Sequence, residues 1–145
     1  MINWWTNRTR QQYEERTQCL IEKFNNYTYK GIPLRGAQTL SENLADDIGV
    51  KTSFQAFQRV KQQQPRQKLI GSTLTEDQLF FVGWAQLWCS VCEDKMAKVD
   101  IVQDVHTLYK FRVIGPLSNS DDFAAAFNCP AGSPMHRPEN KCSVW

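Results

Sequence analysis

The chain has 145 residues, 41% of them hydrophobic and 22% charged, a composition that fits one ordinary globular domain and excludes a disordered tract or a collagen-like polymer. Its 17 basic and 15 acidic side chains are scattered and leave a formal charge of +2, so there is no cationic stripe to hold a phosphate backbone, and nucleic acid is excluded as an expected partner. No run approaches the roughly 20 apolar residues of a membrane span, and Met1-Ile2-Asn3-Trp4-Trp5 has neither the basic nor the apolar region of an export signal.

From Asn3 to Phe24, Trp5, Tyr13, Cys19, Leu20 and Phe24 stand among Gln, Glu and Arg, the pattern of an exposed helix with a narrow buried stripe, ended by Asn25-Asn26. Residues 27–38 hold Gly31, Pro33 and Gly36 and are expected to form a loop. Thr39-Leu40-Ser41-Glu42 has capping-box spacing and starts a helix through Ile48. After Gly49, Val50, Phe54, Phe57 and Val60 predict a second helical stretch, closed by a Gln62-Gln63-Gln64-Pro65 connector. Thr75-Glu76-Asp77-Gln78 is another capping box. It leads into Leu79 to Trp88, apolar on nearly every side and expected to be the central buried helix. Phe111-Arg112-Val113 alternates as a short strand would, ahead of a Gly115-Pro116 turn; Asp121-Asp122-Phe123 opens a last short helix through Phe127. The tail from Pro130 to Trp145 is rich in proline and is expected to be held by disulfides.

Five cysteines and two sequons, Asn7-Arg8-Thr9 and Asn26-Tyr27-Thr28, are consistent with one another in an exported protein, where disulfides and N-glycans form together. The odd count leaves one thiol free or paired beyond these residues, a first indication of a fragment. Cys89-Ser90-Val91-Cys92 has redox or zinc spacing but lacks the second ligand pair of a structural zinc site. Glu42 and Asp46, four residues apart, place two carboxylates on one helix face; spacing alone favours ordinary acids near a helix N-terminus over a metal ligand with a supporting acid. His106 follows Asp104 by two, so in an extended segment the aspartate can fix the imidazole tautomer. Arg112, between Phe111 and Val113, needs a partner to offset desolvation, and a salt bridge would supply one. His136, in the tail, is expected at the surface.

Read in order, Trp4-Trp5-Thr6, Thr39 to Asp46, Gln78-Leu79-Phe80-Phe81, Ala85 to Cys89, Asp104-Val105-His106, Phe111 to Gly115 and Lys141 to Trp145 resemble the C-terminal region of the neprilysin and endothelin-converting-enzyme family of zinc metalloendopeptidases. The resemblance runs from Trp4 to Trp145 and implies a mainly α-helical C-terminal portion of a thermolysin-like catalytic lobe, occupying residues 1–145 as one unit. It also reverses the reading of the acid pair, implying Glu42 as a zinc ligand and Asp46 as the acid that orients a histidine ligand. By the same resemblance His106 would donate to the oxyanion of the tetrahedral intermediate with Asp104 orienting it, and Arg112 would hold a substrate carbonyl. A Cys19–Cys142 bridge is implied, with the partners of Cys89 and Cys129 far upstream.

The family's H-E-x-x-H helix, which supplies two zinc imidazoles and the general base, has no counterpart in these residues. Ser41 stands where glycine is usual, Asp47-Ile48 where Asn-Gly is common, and Cys92 is extra in a shortened loop. The resemblance therefore implies a Zn2+ enzyme that cleaves extracellular peptides on the N-terminal side of apolar residues, secreted or anchored at the cell surface, with the upstream half of the peptidase domain as this chain's partner. The chain alone is expected to be inactive and to hold zinc weakly. The alternative is a secreted, disulfide-stabilised binding module without catalysis.

Overall fold

Among residues 4–64 and 70–144, which the computed structural model describes, helices dominate: α1 (Asn7–Asn25), α2 (Leu40–Gln63), α3 (Glu76–Leu87), α4 (Asp94–Gln103), α5 (Tyr109–Asn119) and α6 (Asp121–Ala126). A two-stranded hairpin, β1 (Thr28–Tyr29) and β2 (Ile32–Pro33), links α1 to α2, and a 3-10 turn at Pro138–Asn140 lies in the tail. Met1, Ile2, Asn3, Pro65 and Trp145, named above, lie outside the described residues.

In α1 the Thr6 hydroxyl accepts the Thr9 N–H, and the buried residues Thr17, Leu20 and Phe24 recur three and four apart, so only one stripe faces inward. The expected loop that follows is partly a hairpin, with Thr28 opposite Pro33 and Tyr29 opposite Ile32. Its two-residue turn, Lys30-Gly31, has positive φ at both positions (48° and 79°), the conformation that matches the twist of paired strands.

The two helical stretches expected on either side of Gly49 are one helix, α2, which also takes in Gln62 and Gln63. An interior glycine costs about 1 kcal/mol relative to alanine, and burial of Leu44, Val50 and Phe54 outweighs it. Thr39 does not form the expected capping box. Its hydroxyl donates to the Arg35 carbonyl and accepts from the Asn43 side chain at 2.7 Å, while the box at Thr75 and Gln78 does form.

Helix α3 is not the buried centre. Only Phe81 is buried, stacked on Phe54 of α2 and met edge-on by Phe123 of α6, while Leu87 is 72% exposed. Phe111-Arg112-Val113 is helical rather than extended, and Gly115-Pro116 lies inside α5 rather than in a turn. Proline removes one intrahelical donor, and the Arg112 carbonyl four residues earlier accepts the Trp84 indole N–H instead, at 3.3 Å. Helix α4 was not foreseen at all.

Two apolar clusters make the core, one with Leu20, Phe24, Leu44, Ile101 and Phe111, the other with Val50, Phe54, Phe81 and Leu117. Helices α2 and α5 contribute to both and so form the spine. At α5, Gly115 receives the edge of Phe24: a Cβ there would stand 2.4 Å from Phe24 Cζ. The tail returns to α1 through the Cys19–Cys142 disulfide, which spans 123 residues. Asn119, at the end of α5, clamps the same cysteine through both backbone groups, accepting from its N–H at 2.7 Å and donating to its carbonyl at 2.8 Å.

Substituting Gly115→Ala is expected to lower stability by about 1–3 kcal/mol, since overpacking against Phe24 exceeds the gain in helix propensity. Urea unfolding measures it, and a more stable variant would show that Phe24 can step aside.

Candidate functional site

The residues singled out from the sequence come together at the N-terminal half of α2, the 104–106 turn after α4, and the first turn of α5. Glu42 and Asp46 lie one turn apart on α2. His106 Nδ1 is 2.8 Å from Asp104 Oδ1, and the same oxygen accepts the His106 backbone N–H at 2.9 Å. That backbone contact, followed by the ring contact, holds the Asp104 carboxyl below the usual carboxylate range. On the other side of the ring, Nε2 is 3.2 Å from Glu42 Oε2. The imidazole thus bridges a carboxylate from the turn and one from α2. Gln38, just ahead of α2, donates from Nε2 to the Asp104 carbonyl at 2.5 Å and ties the turn to the start of that helix.

Arg112 meets Asp46 in a two-pronged pair, Nε to Oδ2 and Nη2 to Oδ1, both 2.7 Å. The side chains are 11% and 8% exposed, so this pair is buried, whereas the His106 and Glu42 side chains at 42% and 35% remain open to solvent. The guanidinium carbon also lies 3.7 Å from the centre of the Trp88 ring, on which Tyr109 stacks with centroids 6.3 Å apart. Trp88 and Gln38 were not picked out from the sequence as parts of the site: Trp88 looked like a core residue of α3, and no spacing connects Gln38 to Asp104. His106, Arg112, Trp88 and Tyr109 line a cavity of about 570 Å³ that also includes Cys92.

Both Asp46 oxygens accept from Arg112, a contact the sequence did not announce. A structural or catalytic zinc takes at least three protein ligands, and among the described residues no three His, Cys, Asp or Glu side chains converge on one point. Glu42 and Asp104 both stay partly open to solvent, their side chains 35% and 44% exposed.

Of the other predicted positions, Cys92 lines the same cavity. His136 is half-buried rather than on the surface, its Nδ1 2.9 Å from the Cys129 carbonyl in the tail. Cys89 and Cys92 are exposed free thiols and Cys129 a partly buried one. Asn7, the first residue of α1, and Asn26, its C-terminal cap, are both exposed. Among the described residues no helix is long and apolar enough to cross a membrane.

Comparison with known proteins matches residues 1–144 to the model of "Peptidase family M13". An endothelin-converting enzyme homolog of Locusta migratoria is 43% identical over 98% of this chain and 20% of its own length. Neprilysin-3 of Drosophila melanogaster is 40% identical over 98% of this chain and 18% of its own. The chain thus spans about a fifth of the length of the curated relatives it matches. Among solved structures, the Mycobacterium tuberculosis zinc metalloprotease Zmp1, in complex with an inhibitor, superposes on all of this chain and 23% of its own with a TM-score of 0.87 at 29% identity.

Removing one member of the buried pair leaves the other as an uncompensated charge. Arg112→Ala is therefore expected to cost about 3–5 kcal/mol, and Arg112→Lys, which cannot make two parallel bonds, a substantial share of that. Arg112→Ala with Asp46→Asn should recover part of the loss; denaturant unfolding of the wild type, the Arg112→Ala and Asp46→Asn single variants and the double variant decides, and additive losses would show that the pair is not coupled.

Proposed function

Because the chain belongs to peptidase family M13, a family of metalloendopeptidases, we propose that it forms the C-terminal part of a zinc-dependent catalytic lobe and supplies the side chains that orient a peptide and steady its transition state. The observation that carries this reading is the close grouping of two preset groups on one cavity: an imidazole fixed by Asp104 and a guanidinium fixed by Asp46 and Trp88.

Of the five N–H donors of a guanidinium, two go to Asp46, leaving three to meet a peptide carbonyl at the cavity wall. The aspartate and the indole hold the fork in place beforehand, so little side-chain entropy is lost when substrate arrives. With both ring nitrogens protonated, His106 donates from Nε2 to the oxyanion that forms when the scissile carbonyl is attacked, while Nδ1–H donates to Asp104, whose carboxylate stabilises that positively charged ring. Glu42 contributes one carboxylate ligand to the family's Zn2+, with the remaining ligands, the general base and the rest of the cleft coming from outside this chain. Peptides with an apolar residue following the cut are the substrate class, and the sequons with the Cys19–Cys142 bridge support a location outside the cell or on its surface.

A non-catalytic peptide-binding module keeps the same cavity and does without the metal; the lack of three converging ligands among the described residues is what favours it. Zinc stoichiometry and cleavage of a fluorogenic peptide by the purified chain separate these readings from a self-sufficient enzyme. The expected result is neither tight zinc nor hydrolysis. Stoichiometric zinc with chelator-sensitive cleavage would show that these residues build a complete site by themselves. In a complete enzyme carrying this region, Glu42→Ala is expected to abolish zinc retention, while Arg112→Ala raises KM with the metal still bound. Normal zinc content in the first variant, or an unchanged KM in the second, removes the corresponding role.

A further inference from the structure

Away from the peptide cavity, Lys23 of α1 lies half-buried beside the tail, and no step described above uses it. Its one hydrogen-bond partner among the described residues is neutral, the Asn119 Oδ1 at 3.3 Å. Asp47 of α2, whose charge acts on the lysine, gives its carboxylate to Asn119 Nδ2 at 2.8 Å rather than to the amine. An ammonium taken out of water without a carboxylate in contact favours its neutral form. Burial, opposed by the charge of Asp47 and aided by that of Lys141 in the tail, lowers the amine to about 8.

Lys23 lines a cavity of about 560 Å³ between α1 and the tail, walled also by the Cys19–Cys142 disulfide, Glu22, Arg137 and Glu139. The two acids balance Lys23 and Arg137, so the cavity gives no strong preference to an ionic guest.

We propose that this cavity is a covalent modification site for small uncharged carbonyl compounds, with Lys23 Nζ as the nucleophile. The amine lone pair adds to the carbonyl carbon to give a carbinolamine; its hydroxyl leaves as water with a proton, and an imine to Lys23 remains. No oxidant or reductant is needed, and the adduct reverses by hydrolysis unless it is reduced. The assignment is independent of the peptidase reading, because neither the metal nor the peptide cavity takes part.

The test treats the intact, disulfide-bonded chain with acetaldehyde and cyanoborohydride, which traps the imine as an ethylamine, and maps the label by mass spectrometry. Near pH 7.5, Lys23 is expected to label roughly tenfold faster than the exposed Lys51 and Lys110, the much larger neutral fraction outweighing lower basicity and partial burial. Its rate should rise with a midpoint near pH 8, and Asp47→Asn, which removes the carboxylate that favours the charged form, should move that midpoint lower. Labelling of Lys23 no faster than of Lys51, or a midpoint in the ordinary lysine range, would overturn the proposal.

Discussion

The bidentate contact between Asp46 and Arg112 sets the geometry on which the site depends. It joins the two helices that share both core clusters, and it does so with charges that are nearly out of water. Such a pair adds little net stability over well-packed apolar residues, because the cost of desolvating both ions offsets most of their attraction. What it supplies is register: two parallel N–H···O bonds are satisfied at only one offset of α2 along α5. That offset puts Glu42, one turn earlier on α2, against His106, which lies just ahead of α5. A slide of either helix by one turn would part both contacts together.

The same helix faces a second way. Asp46 and Asp47 are consecutive on α2 and project about 100° apart, as successive residues of a 3.6-residue turn must. Asp46 therefore meets α5 on the side of the cavity, and Asp47 reaches Asn119 at the far end of α5. Asn119 in turn holds both backbone groups of Cys142, so the disulfide that closes the tail onto α1 is one side-chain link away from the helix that carries the site acids. The family resemblance implies the disulfide; the asparagine that couples it to α2 has no signature in the sequence.

How much could be read from residue order follows from how local each feature is. Helix α1, the Thr75 cap and α6 are set by neighbours within four residues, and their spacing shows them. Glu42, Asp46, Asp104, His106 and Arg112 were recognisable as candidates because short motifs carry them, yet the pairing of Asp46 with Arg112 is a long-range fact, 66 residues apart in sequence. Helix α5 was misjudged because alternation over three residues cannot distinguish a strand from one turn of helix, and because a glycine-proline step ordinarily ends regular structure. Trp84, from another helix, satisfies the carbonyl that Pro116 leaves without a donor, and nothing local announces that.

Trp84 and Trp88 illustrate how α3 serves the site without being the buried core helix its composition promised. One turn apart, they present edge-to-face rings at 5.9 Å; the first bonds the Arg112 carbonyl and the second lies against the Arg112 guanidinium. Backbone and side chain of one arginine are thus both held by a single face of α3, while Asp46 holds the charge from α2. A guanidinium gripped on its face by an indole and on one edge by a carboxylate retains a single free edge, and the wall of the cavity is where that edge can still accept a partner. The apolar character of α3 therefore has a local chemical use beyond burial: it fixes the direction in which the Arg112 guanidinium can bind.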